Sequence, residues 1–460
     1  MKLKTRRIIM FFFIAIFLII APLIIFYASG YRFDLKRYKI LRTGTLFIEA
    51  KGIKKADLYI NNKLYEMPFD EKIFIYNLLP GDFQIKLARE GYHDWQKKTV
   101  IQSSLTTFIK DAVLFKDEAP QLKFEGQINN FSISPDQQKL IYISATDSFE
   151  EFYYYDLLMG EKKLLYRIPR QDSAPRFFWA PSSKKILLNY EQKYTVIAIE
   201  NNKNVVSLSS IISLAPLNVR WDLQSDNLLY GQSKNIIYKI DLLTKKTGKY
   251  FQLEESQINP EFYLEGNDLF YLEQTENKNI LSKYNFSYKT TKKILELSKA
   301  EHYKFIKSTN NYLGLIDLDN QKLYLVKKSN TDLEINILDE PVMEFKAKEA
   351  WWDDKERQLL FYDDFEIAVY NSKINKEQII NRYGQVIKKV AWYPDLDHII
   401  ILSENNIQII DITQEIGTRN ATEIVNIDKL YNFELDKKGE TFFLNGQIGK
   451  ASGLYQLELQ

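Results

Sequence analysis

Cysteine is absent from this 460-residue sequence. Its absence excludes thiol catalysis, zinc–thiolate sites, disulfides and the acylated cysteine of a lipoprotein, so an exported form of the chain relies on core burial alone. Histidine is nearly absent too. His93, His302 and His398 stand far apart with no paired spacing for a metal or a triad. Each reads as a satisfied or surface side chain, because a catalytic histidine needs a nucleophile or an orienting acid in reach. No G-x-S-x-G elbow, P-loop or HExxH occurs, and the residues call for no cofactor or metal. Charge of one sign is lacking as well: 62 basic against 60 acidic side chains leave a net of +2. Nucleic-acid binding rests on many cations neutralising phosphates, so that class of partner is not expected. Glycine (17) and proline (12) are scarce for a turn-rich chain, which leaves the turns to Asn, Asp and Lys.

The acids that remain look local. Asp317-Leu318-Asp319-Asn320 hints at a calcium loop but lacks its Gly and terminal Glu, so a hairpin turn is the better reading. Trp351-Trp352-Asp353-Asp354 and Asp363-Asp364 place acids in turns, where Asp stabilises the backbone. A glycosidase-type carboxylate pair stays open, because its separation is spatial.

What the chain does contain is apolar and aromatic. Hydrophobic residues make up 45% and aromatics 14%, with 30 Tyr and 29 Phe; this is a folded composition that leans towards strands. Abundant Ile, Lys, Asn and Tyr with little Ala point to an AT-rich bacterial coding sequence. The length requires two or more domains.

From Ile8 to Tyr27, through Phe12, Ile16, Ile20 and Pro22, no charged or strongly polar residue interrupts the chain. Twenty helical residues rise about 30 Å, the thickness of the hydrocarbon layer. A cleaved signal peptide has a shorter apolar region, although Ala28-Ser29-Gly30 offers small residues for a peptidase; an uncleaved anchor is expected. Lys2, Lys4, Arg6 and Arg7 precede the run, whereas Arg32, Lys36, Arg37, Lys39 and Arg42 follow it, so local charge does not fix orientation. A short basic head before an apolar run favours a cytoplasmic N-terminus with the bulk of the chain outside.

Between residues 43 and 115 short runs alternate apolar and polar: TLFIEA, ADLYINNKLY, KIFIYNL and FQIKLAREG. Period two over four to eight residues is the signature of strands. Asn61-Asn62 supplies a two-residue hairpin turn, and Pro80-Gly81 and Gly91 supply others. The order Leu46-Phe47-Ile48, Asp57-Leu58-Tyr59-Ile60-Asn61-Asn62-Lys63, Pro68, Leu79-Pro80-Gly81-Asp82-Phe83, Gly91-Tyr92 and Trp95 resembles a PEGA domain. That family is a small β-sandwich of bacterial and archaeal envelope proteins. The Pro-Glu-Gly-Ala run that names it is missing; Lys55-Ala56 stands there. The resemblance implies envelope association and adhesion or protein contact, with no catalytic residues to carry over. Turn formation by Pro80, Gly81 and Gly91 and core packing by Tyr92 and Trp95 account for those residues without a function.

Past residue 125 an aromatic recurs ahead of a turn and an apolar strand: Phe131, Trp179, Trp221, Phe262, Phe305, Trp352, Trp392 and Phe433, at intervals of 48, 42, 41, 43, 47, 40 and 41 residues. Strand-built repeats of about 40–50 residues are propeller blades. A lone four-stranded sheet cannot bury both faces, so these rings are expected to pack between neighbouring blades; a sugar-binding platform is the alternative use. FSISPDQQKLIYIS and WYPDLDHIIILS look like repeats of TolB-type periplasmic propellers, without the dipeptides of WD repeats. The last unit stops after its third strand at Gln460, and Phe108–Phe115 (FIKDAVLF) is the expected donor of the missing one. Seven blades plus a stray unit is the competing count.

The sequence therefore predicts an all-β protein with a basic cytoplasmic head (1–7), a transmembrane helix (8–27), a juxtamembrane linker (28–42), a PEGA-like sandwich (43–107) and an eight-bladed propeller (108–460). A membrane-anchored, non-catalytic binding or scaffold protein of the cell envelope is expected, partnering the bilayer through residues 8–27 and a protein or glycan through the propeller. An envelope hydrolase or lyase with a site in the propeller channel is the alternative, because the fold hosts both.

Overall fold

The structure, a computed structural model, describes residues 3–35, 37–67, 69–170, 173–201, 204–212, 218–253, 257–328, 342–413 and 418–460. Pro68, Lys2 and Lys36, singled out in the sequence, lie outside the described residues.

Leu3–Ala28 form one helix, α1, continuous through Pro22. Its most apolar stretch has a mean hydropathy of 3.3 and lies outside the packed protein, so it is long and apolar enough to cross a bilayer or to act as a signal sequence. The segment read as a linker is not irregular. Tyr31–Asp34 and Lys39–Arg42 pair antiparallel, with Phe33 opposite Ile40.

A small β-domain follows. One long strand, Gly44–Ile60, serves two sheets. Its first half pairs antiparallel with Phe69–Leu78 and parallel with Thr106–Ile109. Bulges between Glu49 and Ala56 turn it, and its second half pairs with Lys63–Leu64 and Gly81–Ala88, the latter bonded to Trp95–Ile101. Bulges bend a strand and raise its twist, which lets one strand belong to two layers. Leu46, Ile48, Phe69, Ile85, Leu87 and Trp95 fill the space between them.

The rest is a propeller of eight four-stranded sheets. The described strands of blades 1 to 7 lie within residues 127–169, 176–207, 218–252, 257–298, 303–346, 349–382 and 387–426, each set in simple up-and-down order. Blade 8 combines Lys429–Leu435, Thr441–Ile448 and Ala451–Glu458 with Gln121–Glu125, drawn from ahead of blade 1. Strand exchange thus closes the ring, but not with the expected segment. Thr106–Ile109 belongs to the small domain, and Ile109, Ala112 and Leu114 sit in its core. Within Phe108–Phe115, Phe115 joins the core of blades 7 and 8 and Val113 packs against it. The propeller's own strands therefore begin at Gln121, not at residue 108. An apolar run fits any buried strand equally well, whereas an outer strand is half exposed and polar, as Gln121-Leu122-Lys123-Phe124-Glu125 is.

Candidate functional site

Turn chemistry builds the faces of the propeller. The carboxylates of Asp353, Asp395 and Asp436 each accept two backbone N–H groups at the turn from first to second strand. Asp156 and Asp241 do the same between third and fourth strands. Asp317 accepts from the backbone N–H of Asp319 and Asn320, and Asp363 from Phe365 and Glu366. These acids hold turns that glycine would otherwise have to make.

The first strand of each blade is innermost: first strands bond side by side around the ring, whereas fourth strands are largely exposed. Trp221 donates its indole N–H to the Phe178 carbonyl one blade back, and Trp392 donates to Trp351. Asn218 donates to the Pro260 carbonyl and Asn259 to that of Glu301, one blade forward. From blade 3 to blade 8 these strands carry charges of alternating sign: Arg220, Glu261, Lys304, Glu349, Lys389 and Glu434. Arg220 Nη2 lies 2.5 Å from Glu261 Oε2, Lys304 Nζ 2.5 Å from Glu349 Oε2, and Lys389 Nζ 4.0 Å from Glu434 Oε1. Burial pushes Lys389 down and Glu434 up, partly offset by their mutual attraction. Along the ring these charges pair with their neighbours, and Lys389 is also attracted by Glu349 of the preceding blade.

Blades 1 and 2 differ. Their inner strands carry Asn129, Asn130, Arg176 and Phe178, and here a cleft of about 500 Å³ opens, lined by Asn129, Asn130, Arg176, Asn189, Tyr190 and Glu191 among others. It lies on the face formed by the turns between second and third strands and by the links from one blade to the next. Three carboxamides, a guanidinium, a carboxylate and a phenol ring offer donors and acceptors in several directions. Below the rim the Asn129 amide donates to both oxygens of Glu150, at 3.0 and 2.9 Å. Burial pushes the Glu150 carboxyl up, against the hydrogen bond from Asn129.

The small domain docks on the opposite face, under blades 7 and 8. Lys97 Nζ reaches Asp111 Oδ2 at 2.5 Å and Asp411 Oδ2 at 3.2 Å, and all three side chains are no more than 4% exposed. Thr413 donates its hydroxyl to Asp111, and Asn420 its backbone N–H to Asp411. The Lys98 N–H donates to the Thr418 hydroxyl and the Thr418 N–H to the Lys98 carbonyl, the Gln96 N–H donates to the Asn420 side-chain carbonyl, and Tyr92 pairs with Lys116. Burial works against the Lys97 ammonium, but Asp411 and Asp111 together hold its pKa above the ordinary lysine value.

His398 stands opposite Asp411 across the strand pair and bonds Asp395 Oδ2 at 2.7 Å through Nδ1. Phe115 and Tyr393 meet the ring edge-on. Burial lowers the His398 pKa, but the hydrogen bond to Asp395, helped by Asp411 and Asp111, leaves it raised overall. A raised folded pKa adds stability that is complete below the unfolded value of about 6.5 and disappears as pH rises through the folded value. Unfolding free energy measured from pH 6 to 9 should therefore fall with pH in the wild type and fall less steeply in His398→Asn. Parallel slopes in the two would show that the folded state does not favour the imidazolium.

The other two histidines are also tied to acids: His93 Nε2 is 3.6 Å from Asp117 and His302 Nδ1 2.8 Å from Asp319. All eight repeated aromatics lie on first strands and pack on the preceding blade. Phe131 meets blade 8, Trp179 blade 1, Trp221 blade 2, Phe262 blade 3, Phe305 blade 4, Trp352 blade 5, Trp392 blade 6 and Phe433 blade 7. In the small domain Asn61 and Asn62 adopt φ of +50° and +64° at the hairpin tip, and Tyr59 on the strand before them lies under the Lys86 ammonium. Pro80 precedes Gly81, which opens a strand, and Gly91 has φ +76°. Trp95 is fully buried, while Tyr92 packs on the rim of the same core. In α1, Ile8, Phe12, Ile20 and Tyr27 are exposed along the helix and Ile16 and Pro22 belong to the same apolar run. Sequence reading missed the cleft and the buried ion cluster, because polar residues at strand ends look alike until the fold brings them together.

No protein-family model matches the chain and no curated protein is similar to it in sequence. Among solved structures, it resembles the Dos1 propeller at 10% identity over 75% of this chain and 96% of that one, with a TM-score of 0.49. It also resembles a eukaryotic initiation factor at 13% identity over 75% and 94% of the two chains, with a TM-score of 0.48. An oligogalacturonate lyase in complex with manganese aligns at 10% identity over 73% and 90%, with a TM-score of 0.41.

Proposed function

We propose that this chain is a membrane-tethered, non-catalytic scaffold of a bacterial cell envelope, which holds a protein partner in the cleft between blades 1 and 2. The observation that carries the proposal is the placement of that cleft. The small domain grips the turn face under blades 7 and 8, and the cleft opens on the other face, away from the anchored end. A cation at Arg176, an anion at Glu191 and the carboxamides of Asn130 and Asn189 complement a charged, hydrogen-bonding peptide better than a neutral glycan. On this reading α1 is an uncleaved anchor, the propeller faces outward, and the PEGA-like domain is the stalk between them.

Full-length protein in the native membrane should be cut by protease added to intact cells. Arg176→Glu combined with Tyr190→Ala should weaken partner capture at least about tenfold, since tyrosine and arginine are the side chains that most often dominate interfaces. The melting temperature should not move. Unchanged capture, or a glycan in place of a protein in the wild-type cleft, would overturn the reading. A hydrolase or lyase is the second reading, and it draws on the buried Glu150 carboxylate, which accepts from the Asn129 amide at the cleft. Turnover of a polysaccharide by wild type that Glu150→Gln abolishes would replace scaffold by enzyme.

A further inference from the structure

We infer that the hairpin of residues 31–42 is a second membrane contact, lying in the headgroup layer beside the exit of α1 and selecting anionic lipid. The inference rests on α1 being an anchor but assigns a separate role to a separate element.

Two strands of four residues make a poor structure in water, because a lone hairpin buries too little to offset its ordering. Among the described residues its strands pair with no other sheet. It exposes Phe33, Leu35, Tyr38 and Ile40, the turn residues Leu35 and Tyr38 by 75% and 80%. Phe33 and Ile40 are cross-strand partners and so share one face. Such a cluster of large apolar side chains calls for a covering surface. Interleaved with it are Arg37, Lys39 and Arg42, all exposed, against the single acid Asp34, which is buried and caps the Arg37 N–H. Aromatic and aliphatic side chains set among cations match the bilayer interface, where rings sit at headgroup depth and cations meet lipid phosphates.

The hairpin's position is fixed with respect to the helix. Arg32 donates from Nη1 to the Tyr27 carbonyl at 2.7 Å, and its guanidinium lies 3.6 Å over the Tyr27 ring. Phe26 and Tyr31 meet edge to face at 5.4 Å, and the Thr43 hydroxyl donates to the Gly30 carbonyl at 2.9 Å. The hairpin is therefore held at the end of the apolar helix, at the depth where hydrocarbon gives way to headgroups.

The absence of cysteine makes the test direct, since one introduced thiol takes one spin label. Leu35→Cys, Ile40→Cys, Phe17→Cys in the helix and Leu158→Cys on the propeller are labelled in the full-length chain. Each is placed in nanodiscs of phosphatidylcholine with or without phosphatidylglycerol, and collisions with oxygen and with a water-soluble nickel complex are compared. The expected result is several-fold more oxygen relative to nickel at 35 and 40 than at 158, less than at 17, and greater in the anionic discs. The added gain in anionic discs should disappear when Arg37 and Lys39 are both changed to Glu. Labels at 35 and 40 as water-exposed as that at 158, with 17 still deep, would overturn the inference and leave the anchor standing. A water-exposed label at 17 would overturn both.

Discussion

Gly453→Val is expected to open the ring, lowering unfolding free energy by about 3 kcal/mol or more, at the top of the range for overpacking. The reason is the closing strand. Gly453 lies opposite Glu125 of that strand on one side and opposite Gly446 on the other. A Cβ at 453 would stand 2.1 Å from the Phe124 carbonyl oxygen and 2.9 Å from a Leu122 methyl. Backbone cannot give way as a flexible side chain can, so Gln121–Glu125 must leave its place. Its departure strips Phe124 from its stack on Tyr142 at 4.9 Å and from its edge-on contact with Tyr155 at 5.0 Å, and exposes the edge of blade 8. An exposed edge is an invitation to pair with another chain, so concentration-dependent aggregation should accompany the loss. Chemical unfolding and light scattering check this, with Gly248→Ala as the control. A Cβ at 248 meets nothing within 4 Å, and its stability should hold or rise slightly. A Gly453→Val protein as stable and monomeric as the control would mean the ring is not closed by this strand.

How far the sequence reached follows from the same elements. The spaced aromatics were legible because each sits at one place in a repeated unit, where packing against the previous blade keeps the residue large. The apolar run of α1 was legible by length alone. The exchanged strand in blade 8 was anticipated as well, and Gln121–Glu125 is that strand. Which segment would fill the gap was not. Gln121–Glu125 needs to be apolar only at Phe124, and a strand of that kind carries little periodic signal. The hairpin of residues 31–42 was hidden for a related reason: its alternation of cations with Phe33 and Ile40 reads as a basic linker until pairing puts the two apolar residues on one face. The cleft could not be read at all. Asn129, Arg176 and Tyr190 come from two different units, and nothing at those positions recurs in the other six blades.

Least legible was the ion cluster under blade 7, whose Lys97 and Asp411 are 314 positions apart. Lys97→Met is expected to lose about 3–5 kcal/mol, the usual cost of leaving a buried charge without its partner. In this case two carboxylates are left, because Asp111 and Asp411 share the one ammonium and both lie out of solvent. Their repulsion would drive the small domain off the propeller, so cleavage in the connecting residues 116–120 should speed up alongside the loss of stability. An isosteric repair distinguishes lost charge balance from lost packing. Adding Asp111→Asn and Asp411→Asn to Lys97→Met removes the stranded charges, and replacing a buried ion cluster with neutral groups of similar volume is often close to neutral. The triple variant should recover most of the loss. The surface pair Lys72–Glu49, at 3.2 Å with the lysine 61% exposed, should by contrast change stability by less than about 1 kcal/mol when Lys72 becomes Met. If Lys97→Met behaves like Lys72→Met, the two domains are held by their other contacts and the cluster does not set how the small domain sits on the propeller.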